Sequence, residues 1–256
     1  MPQALLEIDG LTRWFGGLQA VRDVSFGVTP GQIHAVIGPN GAGKTTLFNL
    51  VAGSLRPHSG EVRFRGETIT GRPAHQVAAR GLARTFQTTR LFPQMTVLEN
   101  VQVGLHVGSR GGFGAGLFNL PWTWAEERAV RDRARAVVEK LGLEACADRT
   151  AGALPFGRQR LVEFARALAS EPAILLLDEP AAGLNLHESQ DLARLIVRIR
   201  DWGVTVLLVE HNVPLVMEIS DAVVVLDHGA KIAEGRPTEV QKDPEVIRVY
   251  LGDDDA

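Results

Sequence analysis

Residues 38–46 read GPNGAGKTT, a run in which three glycines (Gly38, Gly41, Gly43) precede a lysine and two threonines. The spacing satisfies G-x-x-x-x-G-K-[ST] through Gly38, Gly43, Lys44 and Thr45. Glycines let backbone N–H groups turn inward and approach an anion closely. A helix behind them adds unpaired N–H groups and the positive end of its dipole. The spacing therefore predicts a triphosphate cradle formed by Gly38, Pro39, Asn40, Gly41, Ala42, Gly43, Lys44, Thr45 and Thr46. In it Lys44 bridges the β- and γ-phosphates and the Thr45 hydroxyl reaches Mg²⁺. Of 27 basic residues only four are lysine, so a lysine inside this loop is not compositional noise.

A second group lies about 130 residues downstream, where Ile174-Leu175-Leu176-Leu177 runs into Asp178-Glu179. A buried parallel strand presents such carboxylates at its C-terminal edge, where open α/β sheets bind ligands. Asp178 is then placed to hold Mg²⁺ through water, and Glu179 to polarise a water for attack on the γ-phosphate.

The elements that must position these groups are legible. Ile33–Ile37 reads as a buried strand before the loop, and Thr45–Ala52 as a helix stopped by Gly53. Strand-like runs occur at Leu6–Ile8, Val24–Val28, Glu61–Arg65 and Leu82–Phe86, with a helix predicted over Pro73–Arg80. From about residue 91 the character turns helical. Thr96–Glu99 and Thr123–Glu126 have the capping-box pattern, and Val130, Ala134, Val137, Val138 and Leu141 recur at helical spacing. Between them, Gly108–Trp122 reads either as a mobile connection or as a surface that docks another protein. Helices at Gly157–Ala169 and His187–Trp202 then alternate with strands at Ala173–Leu177, Val204–Val209 and Ala222–Leu226, the pattern of a mostly parallel sheet. Two short helices are predicted after Arg236, ahead of a solvated Asp253–Asp255.

Composition narrows the class. The 256 residues carry a formal charge of -3, which argues against nucleic-acid binding through bulk charge. Cys146 is the single cysteine and reads as packing in a reducing compartment. No secretory leader and no apolar run of membrane-spanning length stands out, so membrane association is expected to come through a partner.

With Gln87, Leu154–Arg160 and His211 added in order, the chain resembles the ATP-binding cassettes of ABC transporters over nearly its whole length. The resemblance implies an α/β fold: a P-loop NTPase (RecA-like) core with an antiparallel β subdomain and an inserted helical subdomain. It implies core and β subdomain over 1–90 and 158–235, the helical insert over 91–157 and a C-terminal tail over 236–256. It also implies that Phe15, 23 residues before Gly38, stacks on adenine, with Trp14 as the alternative. Gln87 would contact Mg²⁺ or the attacking water, and His211 would orient Glu179 and its water. Gly157 would cover the γ-phosphate held by an opposing subunit. The signature departs from the usual LSGGQ, with Pro155, Phe156 and Arg158 at the altered positions, and Asn185 stands where aspartate is common. The other histidines (His34, His58, His75, His106, His187, His228) read as plain surface residues.

Phe15–Leu18, Arg84–Gln87, Asp178–Asn185 and Pro244–Gly252 together resemble the LivG-type ATPases of branched-chain amino acid importers. That resemblance implies two membrane permeases, a second ATPase or a self-dimer, a periplasmic or extracellular substrate-binding protein, and a place at the cytoplasmic face of the membrane. Exporters of lipid or lipopolysaccharide and soluble ABC ATPases remain alternatives. A G-protein is excluded by the absence of an N-K-x-D run.

Overall fold

The computed structural model describes residues 4–85, 90–105 and 121–251. They fall into two compact units, Met1–Gln87 with Ala173–Ala256, and Thr88–Pro172.

The first unit holds two sheets. Strands β1 (Leu6–Phe15), β2 (Leu18–Val28), β4 (Ser59–Phe64) and β5 (Glu67–Thr68) form an antiparallel sheet in the order β2-β1-β4-β5. Strands β3 (Ile33–Ile37), β6 (Leu82–Arg84), β7 (Ile174–Asp178), β8 (Thr205–Val209), β9 (Ala222–Asp227) and β10 (Ala230–Gly235) form the other, in the order β10-β9-β3-β8-β7-β6. Its pairings are parallel except for the antiparallel edge strand β10. Every residue of β3, β7 and β8 is buried, as a parallel strand covered on both faces requires. One face, through Val36, Ile174, Leu176, Leu207, Val209, Val224 and Leu226, packs with helix α1 (Lys44–Val51) and the antiparallel sheet in a single core.

Register sets the site. Val36 pairs with Val209, and Val209 with Asp178. The residues that follow β3, β7 and β8 therefore emerge side by side at the C-terminal edge of the sheet. Helices α2 (Ala74–Ala78), α6 (Leu186–Asp201), α7 (Val213–Ile219), α8 (Pro237–Val240) and α9 (Pro244–Leu251) complete the unit. Asn185 opens α6 with a full capping box, its side chain accepting from Glu188 N–H at 3.0 Å.

The second unit is built on α3 (Val97–Leu105), α4 (Pro121–Lys140) and α5 (Phe156–Ala169). The Thr96–Glu99 capping box forms, with Thr96 N–H donating to Glu99 Oε2 at 2.7 Å and Glu99 N–H to Thr96 Oγ1 at 3.2 Å. Asn100 is fully buried and knits the turn before α3, accepting from Phe92 N–H at 2.9 Å and donating to the Phe92 and Thr96 carbonyls. Helix α4 starts at Pro121, a favoured first helical residue, so Thr123 falls inside its first turn rather than before it. The Gly108–Trp122 segment lies outside the described residues up to position 120, as does the C-terminal Asp253–Asp255. The unit extends to Pro172 and takes in the whole of α5, beyond the 91–157 span implied by the family resemblance. The reason is packing: α5 lies against α3 and α4, and its Val162, Phe164, Ala165 and Ala169 are buried.

Three of these elements escaped the sequence reading: β5, which is only 2 residues long, α7, which is only 7, and β10, whose half-buried AKIAEG lacks a strand's alternation. His34 was expected on the surface but is 4% exposed within β3, with Thr29 N–H donating to its Nε2 at 3.1 Å. Burial lowers its pKa, and the charges of Asp221 and Glu234 oppose that shift. The unfolded chain therefore takes up this proton at a higher pH than the folded one, so the stabilisation is complete above about pH 6.5 and is lost as pH falls below it. Chemical denaturation at stepped pH should show stability falling below about pH 6.5, with a slope from this group of at most ~1.4 kcal/mol per pH unit. His34→Gln, which keeps an acceptor but cannot titrate, should flatten that portion of the profile; an unchanged profile would contradict the assignment.

Candidate functional site

Gly38 to Gly43 link the end of β3 to the start of α1 through backbone that only glycine adopts easily. Gly38, Gly41 and Gly43 have φ of 152°, 82° and 97°. At Gly43 a Cβ would lie 2.2 Å from the Ala20 carbonyl oxygen, and at Gly38 one would lie 2.1 Å from the Leu226 oxygen. The loop is thus wedged between β2 and β9, and glycine serves this close approach as well as access for an anion. Gly229 N–H donates to the Ala42 carbonyl at 3.2 Å and pins the loop from the β9–β10 turn.

Lys44 is 6% exposed, and its Nζ donates to the Gly38 carbonyl at 2.7 Å and the Pro39 carbonyl at 2.9 Å. Burial lowers its pKa, and the negative charge of Glu179 opposes that shift. The side chain is curled over its own loop, where it neutralises carbonyl dipoles that would otherwise repel an anion. Asn40, Gly41 and Thr45 are exposed and Thr46 half-buried, so the rim of the cradle faces solvent.

Asp178 ends β7 with its side chain 4% exposed, and Oδ2 accepts from Arg84 Nη2 at 2.8 Å. Arg84 Nη1 in turn donates to Asn49 Oδ1 of α1 at 2.7 Å, which ties β6, β7 and the loop's helix together. Oδ1 of Asp178 is buried with no hydrogen-bond partner among the described residues, as is the Thr85 hydroxyl. A buried unpaired carboxylate oxygen is costly unless a ligand or water meets it. The donor set therefore fits a hard cation bound through oxygen and water. Glu179 leaves the strand in a left-handed conformation, φ 46°, which an ordinary residue adopts only under constraint. Its N–H donates to the Val209 carbonyl at 2.9 Å, and its side chain is 19% exposed. His211 Nδ1 lies 3.9 Å from Glu179 Oε2, so the structure brings these two predicted partners together.

Phe15 and Trp14 lie at the β1–β2 turn, 44% and 49% exposed, so neither is buried. Trp14 stacks on His58 with ring centroids 5.8 Å apart, while the Arg13 guanidinium lies 5.0 Å from the Phe15 ring centroid. His58 is on the surface as expected, and there it is a stacking partner of Trp14. Gln87 lies outside the described residues. In the second unit, Pro155 is the N-cap of α5 and offers no side-chain bond, with Gly157 in the first turn. Arg158 Nη1 donates to the Gly142 carbonyl at 3.0 Å.

Sequence reasoning did not foresee two participants. Arg84 was noted only within a motif, and its ion pair to Asp178 spans 94 positions. Glu210, fully buried after β8, accepts from backbone N–H groups on both sides of the site. The polar residues at strand ends were visible, but their long-range partners were not.

The model for the ABC transporter family matches residues 21–182, and that for the branched-chain amino acid ATP-binding cassette transporter matches residues 230–256. The chain is 46% identical over 254 residues to the high-affinity branched-chain amino acid transport ATP-binding protein BraF of Pseudomonas aeruginosa, covering 99% of this chain and 100% of that one. It is 43% identical, with the same coverage, to LivG of Escherichia coli K12, which bears the same description. Among solved structures it is similar to the ADP conformation of an ATP-binding cassette of an ABC transporter, with TM-score 0.85, 34% identity and coverage of 98% and 99%. With the glycine-wedged lysine loop and the carboxylate-tipped strand beside it, these matches show that the chain belongs to the ABC transporter ATP-binding family.

Proposed function

We propose that this protein is the ATP-hydrolysing subunit of an importer of branched-chain or related amino acids, and that its loop, carboxylates and histidine act on ATP as follows. The observation that carries the reading is the convergence of the Lys44 loop, Asp178, Glu179 and His211 on one sheet edge. The triphosphate lies along Gly38–Thr46, with Lys44 Nζ transferred from the Gly38 and Pro39 carbonyls to the phosphate oxygens. Thr45, Asp178 and Gln87 are the candidates to hold Mg²⁺, which when bound neutralises charge on the β- and γ-phosphates. Phe15 supplies a flat face for adenine. Glu179 draws a proton from the attacking water, and the His211 imidazole orients that carboxylate. Gly157, at the first turn of α5, offers N–H groups to the nucleotide of a partner ATPase.

The transport role follows from the relatives, whose descriptions name branched-chain amino acid transport, and from the residue 230–256 match to the same transporter class. No helix among the described residues is long and apolar enough to cross a membrane. We therefore place the chain at the cytoplasmic face of the membrane, bound to two permease subunits and paired with a second ATPase or with itself. A substrate-binding protein outside the membrane acts with them indirectly.

Lys44→Ala should weaken ATP binding at least tenfold by titration calorimetry; parental affinity would count against the loop. Glu179→Gln should bind ATP as the parent does while turnover falls by roughly 10²-fold or more, the usual contribution of a general base. Undiminished steady-state hydrolysis in that variant would remove Glu179 from the mechanism.

A further inference from the structure

Glu210 is a carboxylate with no accessible surface, in the position after β8 and immediately before His211. Its Oε1 accepts from Ala181 N–H at 2.7 Å. Its Oε2 accepts from His211 N–H at 3.1 Å and Asn212 N–H at 3.3 Å. Ala181 belongs to the turn that starts at Glu179, where Ala182 N–H returns to the Glu179 carbonyl at 3.1 Å. Glu210 itself is anchored by its N–H to the Val36 carbonyl at 3.4 Å, and Asn212 caps α7 by accepting from Leu215 N–H at 3.3 Å. One residue thus joins three elements: its side chain bridges the turn carrying Glu179 and the turn carrying His211, and its backbone N–H reaches the strand that leads into the phosphate loop.

We propose that Glu210 is a positioning residue for hydrolysis: its carboxylate holds the Glu179 turn and the His211 backbone in one frame, so that the two side chains stay within reach of each other. The inference rests on the roles proposed above for Glu179 and His211 and assigns a residue outside them. The chemistry requires a carboxylate of this length. Three N–H donors converge from two directions, and only a group with two acceptor oxygens can face both. An amide of equal size must turn its NH₂ toward one side, where donor meets donor and a backbone N–H is left unpaired. Aspartate keeps both oxygens but is one methylene too short to span the two turns. Glu179 has left-handed backbone, which neighbouring structure must hold in place. The His211 imidazole, 3.9 Å from Glu179 and 4.0 Å from Glu210, sits between the two acids.

The test is steady-state ATP hydrolysis and nucleotide affinity of the full-length chain for Glu210→Gln, Glu210→Asp, His211→Ala and the double variant Glu210→Gln/His211→Ala. The proposal expects kcat to fall at least tenfold in Glu210→Gln with ATP affinity within about threefold of the parent. It also expects a smaller but measurable fall in Glu210→Asp. Because Glu210 acts through the Glu179–His211 pair, the double variant should lose little beyond His211→Ala alone. Parental kcat in either Glu210 variant would overturn the proposal, as would losses that multiply in the double variant. Failure of both variants to show a cooperative thermal transition would make Glu210 a folding requirement and overturn it too. If His211→Ala itself retains parental activity, the hydrolysis roles fail; if it is impaired while Glu210→Gln is not, only the positioning role fails.

Discussion

A buried cation curled over its own loop is the constraint around which the molecule is arranged. Lys44 Nζ is held by the Gly38 and Pro39 carbonyls at 2.7 and 2.9 Å, at the head of α1. Keeping an ammonium there requires partners for its protons and walls that exclude most of the surrounding water. β2, β9 and the β9–β10 turn provide those walls by pressing against the loop at Ala20, Leu226 and Gly229. An incoming phosphate group can replace the two carbonyls as Lys44's partner without new backbone having to form. The cradle is in this sense pre-organised, and its binding energy need not be spent on ordering a loop.

The rest of the chemistry is delivered by register. Parallel pairing of β3, β8 and β7 sets Val36, Val209 and Asp178 in one row. The loop, the His211 turn and the Glu179 turn leave the sheet at one level. Arg84 and Glu210 then tie these neighbours across the edge, Arg84 to Asp178 and Asn49, Glu210 to Ala181, His211 and Asn212. The site is therefore a set of strand ends bound to each other rather than a single loop with attached groups.

What was legible in the sequence was what is local. The lysine loop announces itself because glycines, lysine and threonine must stand at fixed offsets. β7 and β8 are apolar at almost every position because both faces are covered. The Thr96–Glu99 capping box of α3 bonds within three positions of itself. What was not legible is long-range. Arg84 and Asp178 are 94 positions apart, and Glu210 and Ala181 29 apart, and nothing in either stretch names the other. His34 looked like a surface residue until β3 was flanked by β8 and β9. β10 was missed because an edge strand, half exposed, does not need an apolar pattern.

The most direct test of the central claim compares ATP, ADP and AMP binding to the full-length chain with Mg²⁺ by titration calorimetry. If the Lys44 loop holds the β- and γ-phosphates, affinity should depend on them, with AMP binding at least tenfold more weakly than ATP or ADP. AMP binding as tightly as ATP, or no adenine nucleotide binding at all, would contradict the account.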